Sequence, residues 1–371
     1  MSSRSTLRRS FGMEALESRE VLSAGGPSAE AQYMLELINM ARTNPGTAAQ
    51  WVKSHLDSDI IATLNYYNVD VNSVANDIAA SQSRPAIGWS DTLSGTASKQ
   101  SQDQVALGQQ THSGADGSSL SQRLDNAGYN DRAIAGENAY AYSRSVDHAM
   151  EAFLIDWNVS SLGHRKNILQ PDATPNQFYR EVGIGIVSSS RADLGPKVIT
   201  QDFGRQASSK AELVGVAYND QNGNGAYDMG EGQGNVQINA TNVANGKVAA
   251  TQTWDSGGGY QLNLDPGTYQ VVAKVGDRVV RTDQININDQ NVKVDYNLSL
   301  PWQAPRNSVG VSNSSALASL SSAPVSVPQL ITPPPAPAPA APTPVAVASV
   351  ATIAAPKGWL NSWYSWTASK R

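Results

Sequence analysis

Gly136-Glu137-Asn138 and Gly163-His164-Arg165-Lys166-Asn167-Ile168-Leu169 are the two stretches that decide the fold of this chain. Between them, apolar residues recur at helical spacing from about Val146 to Trp157, which predicts a helix that joins the two stretches. Each stretch supplies one side chain suited to acid–base or metal chemistry, the carboxylate of Glu137 and the imidazole of His164. The neighbouring glycines allow tight turns, so we expect both groups to face one cleft.

A further histidine, His112, lies upstream in Thr111-His112-Ser113-Gly114. Together with the two stretches, it resembles the signature of the CAP superfamily, named after cysteine-rich secretory proteins, antigen 5 and pathogenesis-related 1 proteins. The resemblance covers about residues 28–206 and is to the cysteine-free bacterial form. It implies an α-β-α sandwich of helices around a small antiparallel sheet, with a cleft built from two histidines and two acidic residues.

The resemblance makes His112 and His164 the cleft imidazoles and Glu137 one of the acids. The second acid of the family usually lies a few residues after the first histidine, where Asp116 stands in this chain. Neutral imidazoles and carboxylates suit Zn²⁺ or Cu²⁺. His112, Glu137 and His164 are therefore candidate ligands for zinc or copper, which would acidify bound water. Without a metal, we expect a Glu137–His164 contact to tune either group for proton transfer.

The other elements of this unit follow from periodicity and from capping residues. Ser28 and Asp91 are expected to cap the first two long helices, and Asn44-Pro45-Gly46 is expected to end the first. Arg165 and Lys166 indicate no specific anion site and are interpreted as solvated charges. Helices are expected at about 28–43, 91–107 and 145–158, one or two short helices within 52–84, and strands at 181–187 and 197–203.

After residue 207 the pattern changes to short strands and turns. Leu213 to Tyr218 alternates, and residues 260–264 are expected to form a hairpin with residues 269–272 across the turn Asp265-Pro266-Gly267-Thr268. This pattern resembles the Cna-B or SdrD-B type of β-sandwich, which is the repeat module of bacterial surface adhesins. The resemblance covers about residues 210–300 and implies a small all-β domain.

The stretch from Asp220 to Glu231 fits the twelve-residue calcium-loop template without a gap. Glycine stands at position 6, and the flanks are strand-like, which favours an adhesin-type loop over a helix–loop–helix unit. The alternative is a turn rich in Asn, Gly and Asp that holds no ion. The six candidate calcium ligands are Asp220, Asn222, Asn224, the carbonyl of Ala226, Asp228 and Glu231.

The length of 371 residues predicts two globular units with tails. The basic and then mixed N-terminal residues resemble the L-E-x-R-x-L-L motif of some exported bacterial proteins, with a disordered leader as the alternative. The tail is rich in Pro and Ala, is expected to be disordered, and ends in an aromatic cluster (Trp359, Trp363, Tyr364 and Trp366). The predicted divisions are a leader at 1–27, the CAP-like domain at 28–206, the β-sandwich at 207–300 and the tail at 301–371.

Composition excludes several classes of function. The net charge of −5 and the lack of a basic stripe argue against nucleic acid as a partner. No run reaches the roughly 20 apolar residues of a membrane span, and the absence of cysteine excludes disulfides and thiolate metal sites. We therefore expect an α+β protein, exported to the bacterial cell surface or secreted, that binds a lipid, another small ligand, an envelope component or a protein.

The alternatives to this binding function are left open by the sequence. A metal-dependent hydrolase or peptidase would use the His/Glu cleft, whereas a structural matrix protein would not need the cleft at all. A serine hydrolase is disfavoured because no G-x-S-x-G motif occurs. Fold resemblance alone does not establish turnover, so whether the protein is an enzyme is not decided by the sequence.

Overall fold

The structure is a computed structural model that describes residues 26–300 and the short strand at 306–307. The predictions for the leader up to residue 25, the rest of the Pro/Ala-rich tail and its aromatic cluster lie outside these residues. The helices are α1 (Ala29–Thr43), α2 (Pro45–Ser54), α3 (Ser58–Tyr67), α4 (Val71–Ala79), α5 (Asp91–Leu107), α6 (Leu120–Asn126), α7 (Val146–Ile155) and α8 (Gly163–Leu169). The strands are β1 (Gly88–Trp89), β2 (Arg132–Ser143), β3 (Glu181–Ser188), β4 (Lys197–Gln206), β5 (Glu212–Tyr218), β6 (Gln237–Asn242), β7 (Val248–Gln252), β8 (Gly259–Asn263), β9 (Gly267–Val275), β10 (Arg278–Ile287), β11 (Val292–Lys293), β12 (Tyr296–Asn297) and β13 (Arg306–Asn307).

Of the two predicted N-caps, Ser28 is confirmed and Asp91 is wrong. Ser28 caps α1 as expected, since its hydroxyl accepts a hydrogen bond from the amide of Ala31 at 3.2 Å. Helix α5 is capped by Ser90 and not by Asp91, whose carboxylate instead accepts the indole N–H of Trp89 at 2.7 Å. The predicted helix at 145–158 is shorter, because Asp156 adopts the left-handed conformation with φ of 57° and ends α7.

The first sheet has the strand order β1-β3-β4-β2, with β3 antiparallel to β4 and β4 antiparallel to β2. Helix α5 covers one face of this sheet, and α1, α7 and α8 cover the other. Gly183 and Gly185 allow the close approach of α5, since a Cβ atom at Gly183 would lie 1.9 Å from the backbone nitrogen of Ser94. These three layers confirm the predicted α+β class.

The second unit consists of two facing sheets around their own hydrophobic cluster. The first has the order β13-β10-β9-β6-β7, and the second joins β11, β12 and β8 to β5. The predicted hairpin of residues 260–264 with 269–272 is wrong. Strand β8 pairs with β5, whereas β9 pairs with β6 and β10, because the turn after β8 crosses from one sheet to the other.

The two units pack against each other along α1. The hydrophobic cluster of the first unit includes Tyr218 and Tyr227 from the second. A buried ion pair joins Lys293 to Glu36 of α1 with 2.8 Å between nitrogen and oxygen. No helix in the part of the chain that the structure describes has both the length and the apolar character required for a membrane crossing.

Candidate functional site

Glu137 lies on β2, where its carboxylate is held between a histidine and an arginine. Its side chain is 3% exposed, and Oε1 lies 2.8 Å from Nδ1 of His112, which follows the end of α5. The other oxygen, Oε2, pairs with the buried guanidinium of Arg123 on α6. Arg123 also donates to the carbonyl oxygens of His112 and Ser118 at 3.1 and 3.0 Å, so it fixes the loop that carries the histidine. The His112 side chain is 47% exposed and can meet a ligand.

A second buried acid, Asp202, lies directly across the sheet from Glu137 in the β2–β4 pairing. Its Oδ2 accepts the hydroxyl of Thr96 at 2.6 Å, and among the described residues no N–H or O–H group donates to its buried Oδ1. Burial, followed by the charge of Glu137, raises the pKa of Asp202 well above its usual range. A proton on Asp202 that is donated to Glu137 therefore satisfies both carboxyl groups.

The pKa of Glu137 is shifted in the opposite direction to that of Asp202. Burial alone would raise the pKa of Glu137, but the hydrogen bond and charge of His112 and the charge of Arg123 outweigh it and lower that pKa. Glu137 is therefore the ionised member of the pair and Asp202 the neutral one. The ionised carboxylate orients the His112 ring with a proton on Nδ1 that points at Oε1 of Glu137.

The second histidine has its own buried carboxylate, which sequence reasoning missed. Nδ1 of His164 lies 2.7 Å from Oδ1 of Asp156, whose side chain is fully buried. The other oxygen of Asp156 accepts the backbone N–H groups of His164 and Arg165 at 3.0 and 3.2 Å. The ring of Phe153 lies 5.4 Å from the His164 ring, centroid to centroid. His164 is thus held in one orientation at the start of α8.

Arg165 was expected to be a solvated charge, and this prediction is wrong. Only 7% of the residue is exposed, and its guanidinium donates to the carbonyl oxygens of Leu154 and Ile155 at the end of α7. A helix end leaves such carbonyls without intrahelical partners, so Arg165 satisfies them and ties α8 to α7. This tie keeps Asp156, which lies between the two helices, in place.

The two histidine–carboxylate pairs approach β2 from opposite faces of the sheet. Successive side chains of a strand alternate in direction, so Glu137 faces α5 while Asn138 faces α1 and α8. Asn138 donates to the backbone oxygen of His164 at 3.2 Å, and Asn167 of α8 donates to the backbone oxygen of Glu137 at the same distance. The strand and the helix are therefore joined directly, and the two pairs flank one edge of the sheet.

The expected Glu137–His164 contact is replaced by these two separate pairs. Glu137 uses its oxygens on His112 and Arg123, and His164 uses Nδ1 on Asp156. Within residues 26–300, no group of three or more His, Asp or Glu side chains is arranged to hold a metal ion. The zinc or copper site at His112, Glu137 and His164 stays a prediction.

Asp116, expected as the second acid of the cleft, lies on the surface of its loop. Its carboxylate accepts the amide of Ser118 at 2.9 Å, and hydrogen bonds from Ser118 lower its pKa. The acid next to Glu137 is instead Asp202. Its only sequence signal is its position in the predicted strand at 197–203, and the pairing register that brings it to Glu137 is not visible in the sequence.

The predicted calcium loop is held closed by hydrogen bonds to its oxygen-bearing side chains. Both oxygens of Asp220 accept backbone N–H groups of the loop, from Gly223 at 2.8 Å and from Gly225 at 3.0 Å. The amides of Asn222 and Asn224 each donate to Oδ2 of Asp228 at 2.7 Å. Glu231 closes the loop, since its two oxygens accept the amides of Gln221 and Asp228 at 2.8 and 3.0 Å. Position 7, Ala226, has its N–H bonded to Asn224 at 2.8 Å.

Comparison with known proteins assigns the first unit to a family. Residues 35–203 match the family described as CAP, the cysteine-rich secretory protein family, and the chain therefore contains a CAP family domain over these residues. The predicted resemblance of the second unit to SdrD-B or Cna-B modules stays a prediction. A search of curated proteins found no match.

Among solved structures, the chain is similar to an extracellular protein containing a SCP domain from Bacillus anthracis str. Ames, whose crystal structure has a resolution of 1.5 Å. The sequence identity is 22%, the TM-score is 0.26, and the match covers 41% of this chain and 44% of that one. The chain thus spans less than half the length of that relative.

Proposed function

We propose that the CAP domain is a binding module and that its ligand is a lipid headgroup or another small component of the cell envelope, held at the two histidine–carboxylate pairs. The observation that carries this proposal is that each imidazole has Nδ1 engaged by a buried carboxylate. Both rings are pre-organised, and a fixed ring loses little conformational entropy when a ligand binds. The half-exposed His112 would make the first contact with a ligand.

The test is binding of the full chain to phosphatidylglycerol vesicles and to soluble peptidoglycan fragments, measured by co-sedimentation and calorimetry. We expect His112→Asn to weaken binding at least tenfold without changing the melting temperature. His55→Asn is the matched control, because His55 is an exposed histidine that stacks on Trp51 away from the site. Equal binding by the wild type and His112→Asn, or no binding to either probe, would remove the basis of the proposal.

The alternative function is a metal-dependent hydrolase or peptidase. What favours it is that metal-binding histidines commonly donate their other ring N–H to a carboxylate. Here Glu137 and Asp156 occupy that supporting position, so His112 and His164 would bind the ion through Nε2 and Glu137 would not be a ligand. A bound metal would supply acidified water for attack on an ester or amide. Zinc that co-purifies stoichiometrically, together with ester or peptide hydrolysis that His164→Ala abolishes, would favour this alternative.

A calcium site in the second unit is a further part of the proposed function. The observation in its favour is that hydrogen bonds to the side-chain oxygens of Asp220, Asn222, Asn224, Asp228 and Glu231 hold one closed loop. If calcium binds only the folded state, a free calcium concentration of about 100 times the dissociation constant adds about 2.7 kcal/mol to the free energy of unfolding. We expect millimolar calcium to raise the melting temperature of the full chain and the double variant Asp220→Ala/Glu231→Ala to abolish the rise. A melting curve that is the same in calcium and in chelator would contradict the site.

We place the protein outside the bacterial cytoplasm, either secreted or at the cell surface. The support is the motif in the leader and the membership of residues 35–203 in a family of secretory proteins. Protease treatment of intact cells tests this placement, since a surface protein is cleaved while a cytoplasmic marker is not. Deleting residues 1–27 should keep the protein inside the cell, and equal export with and without this segment would contradict the role of the leader.

A further inference from the structure

We infer that calcium at the loop of residues 220–231 controls how firmly the second unit docks on helix α1 of the CAP domain. The inference rests on the calcium site proposed above and adds a mechanical consequence of that site. It starts from Tyr227, which stands between position 7 of the loop, Ala226, and position 9, Asp228. Both of these neighbours are candidate calcium ligands, so an ion would fix the backbone on either side of Tyr227.

The side chain of Tyr227 leaves the loop and enters the contact between the two units. Only 9% of the residue is exposed, and its ring lies 6.3 Å from the ring of Tyr33 on α1 and 6.0 Å from that of Tyr218 on β5. Tyr33 is itself anchored, because its hydroxyl donates to Asp147 of α7 at 2.8 Å. Tyr227 thus connects the loop to the hydrophobic cluster of the CAP domain.

The loop carries three carboxylates, Asp220, Asp228 and Glu231, and no lysine or arginine. Their mutual repulsion favours opening when no cation is present. It is opposed by amide N–H groups and by the hydroxyl of Tyr218, which donates to the carbonyl of Gly225 at 3.0 Å. A divalent cation cancels most of this charge. To bind it, the amides of Asn222 and Asn224 turn from donating to Asp228 to presenting their oxygens to the ion. Calcium therefore lowers the free energy of the closed loop, and with it that of the inserted Tyr227.

The rest of the contact between the units is built without the loop. Lys293 pairs with Glu36 of α1, Gln261 accepts the amide of Trp89 at 2.9 Å, and Ser256 donates to the carbonyl of Pro27 at 2.5 Å. The second unit therefore stays attached when the loop opens. Only the segment of α1 near Tyr33 becomes less ordered. The expected effect is therefore a local change in hydrogen exchange and not a separation of the two units.

The test is hydrogen exchange of the full chain, followed by mass spectrometry on peptides that cover residues 29–43. Exchange in 2 mM calcium is compared with exchange in chelator, and calcium binding is measured separately by calorimetry. We expect calcium to slow exchange in these peptides at least threefold in the wild type. Tyr227→Ala should bind calcium normally but lose this protection, whereas Tyr227→Phe should keep it because the hydroxyl of Tyr227 has no partner among the described residues.

The outcomes separate the inference from the calcium site itself. Calcium binding without a change of exchange in residues 29–43 overturns the inference and leaves the site standing. Absence of calcium binding in calorimetry removes the proposed site. If Tyr227→Ala does not fold, Tyr33→Leu provides the same test, since it removes the partner ring on α1 and leaves the loop intact. Retained protection in Tyr33→Leu would also overturn the inference.

Discussion

Replacing Asp156 by asparagine should turn the His164 ring from one tautomer to the other. The buried carboxylate accepts three hydrogen bonds, from Nδ1 of His164 at 2.7 Å and from the amides of His164 and Arg165 at 3.0 and 3.2 Å. An asparagine side chain can accept at only one of its two terminal atoms. If its oxygen takes the two amides, its NH₂ group faces Nδ1, and the ring must then carry its proton on Nε2.

The magnitude follows from the bonds that are changed. All three bonds lose a charged acceptor, and hydrogen bonds to charged groups are worth about 1.5–3 kcal/mol compared with about 1 kcal/mol for neutral ones. Because the amide can still make neutral bonds at the same places, we expect a net loss of about 2 kcal/mol, or about 4–8 °C in melting temperature. Asparagine also tolerates the left-handed backbone at this position, where φ is 57°, so the backbone adds little to the cost.

The tautomer is measured from the nitrogen shifts of the imidazole in ¹⁵N-labelled protein at a pH where the ring is neutral. The wild type should show His164 protonated at Nδ1, and Asp156→Asn should show it protonated at Nε2, with ligand or zinc affinity reduced about 10–100-fold. Asp172→Asn, at an exposed position, is the matched control and should change neither property. An unchanged tautomer in Asp156→Asn would refute the role assigned to the carboxylate.

Three further predictions concern stability and can be checked by thermal or chemical unfolding. Gly183→Ala should cost at least 2 kcal/mol, since its Cβ would lie 1.9 Å from a backbone nitrogen of α5, whereas Gly95→Ala, with no atom within 4 Å, should stabilise by about 0.5–1 kcal/mol. Equal effects of the two substitutions would contradict the close packing of α5. Burial, with the charges of Asp57 and Asp147, raises the pKa of Glu151 to about 8. The folded state thus keeps this proton where the unfolded chain has released it, and stability should fall between about pH 4.5 and pH 8 by up to about 5 kcal/mol. Glu151→Gln should remove that fall. If the variant loses stability with rising pH as the wild type does, Glu151 is not the group responsible. Because Asp202 is neutral, Asp202→Asn should cost less than about 1 kcal/mol, whereas Glu137→Gln leaves the buried charge of Arg123 without its counter-charge and should cost about 3–5 kcal/mol. A larger cost for Asp202→Asn than for Glu137→Gln would reverse the assignment of the proton.

Local signals predicted the elements of the CAP domain well. Ser28 and the residues at 44–46 mark the limits of α1 because capping and proline geometry depend on the neighbouring residues alone. The stretches around Glu137 and His164 were found for the same reason, as each is a short motif. The cap of α5 was predicted at Asp91 and lies one residue earlier, at Ser90. Both residue types are good caps, so only the fold decides between them.

The partner of each functional side chain could not be predicted from the sequence, for a physical reason. Asp202 lies 65 positions after Glu137 and meets it through the register of β2 and β4. That register is set by the packing of both faces of the sheet. Asp156 meets His164 because a left-handed residue ends α7 and turns the chain back toward α8. The same limit applies to β8 and β9, which the short turn between them suggested as a hairpin but which the two-sheet core separates. Buried carboxylates of this kind are costly unless they are neutral or paired, so the function of the site depends on the residues that local patterns do not identify.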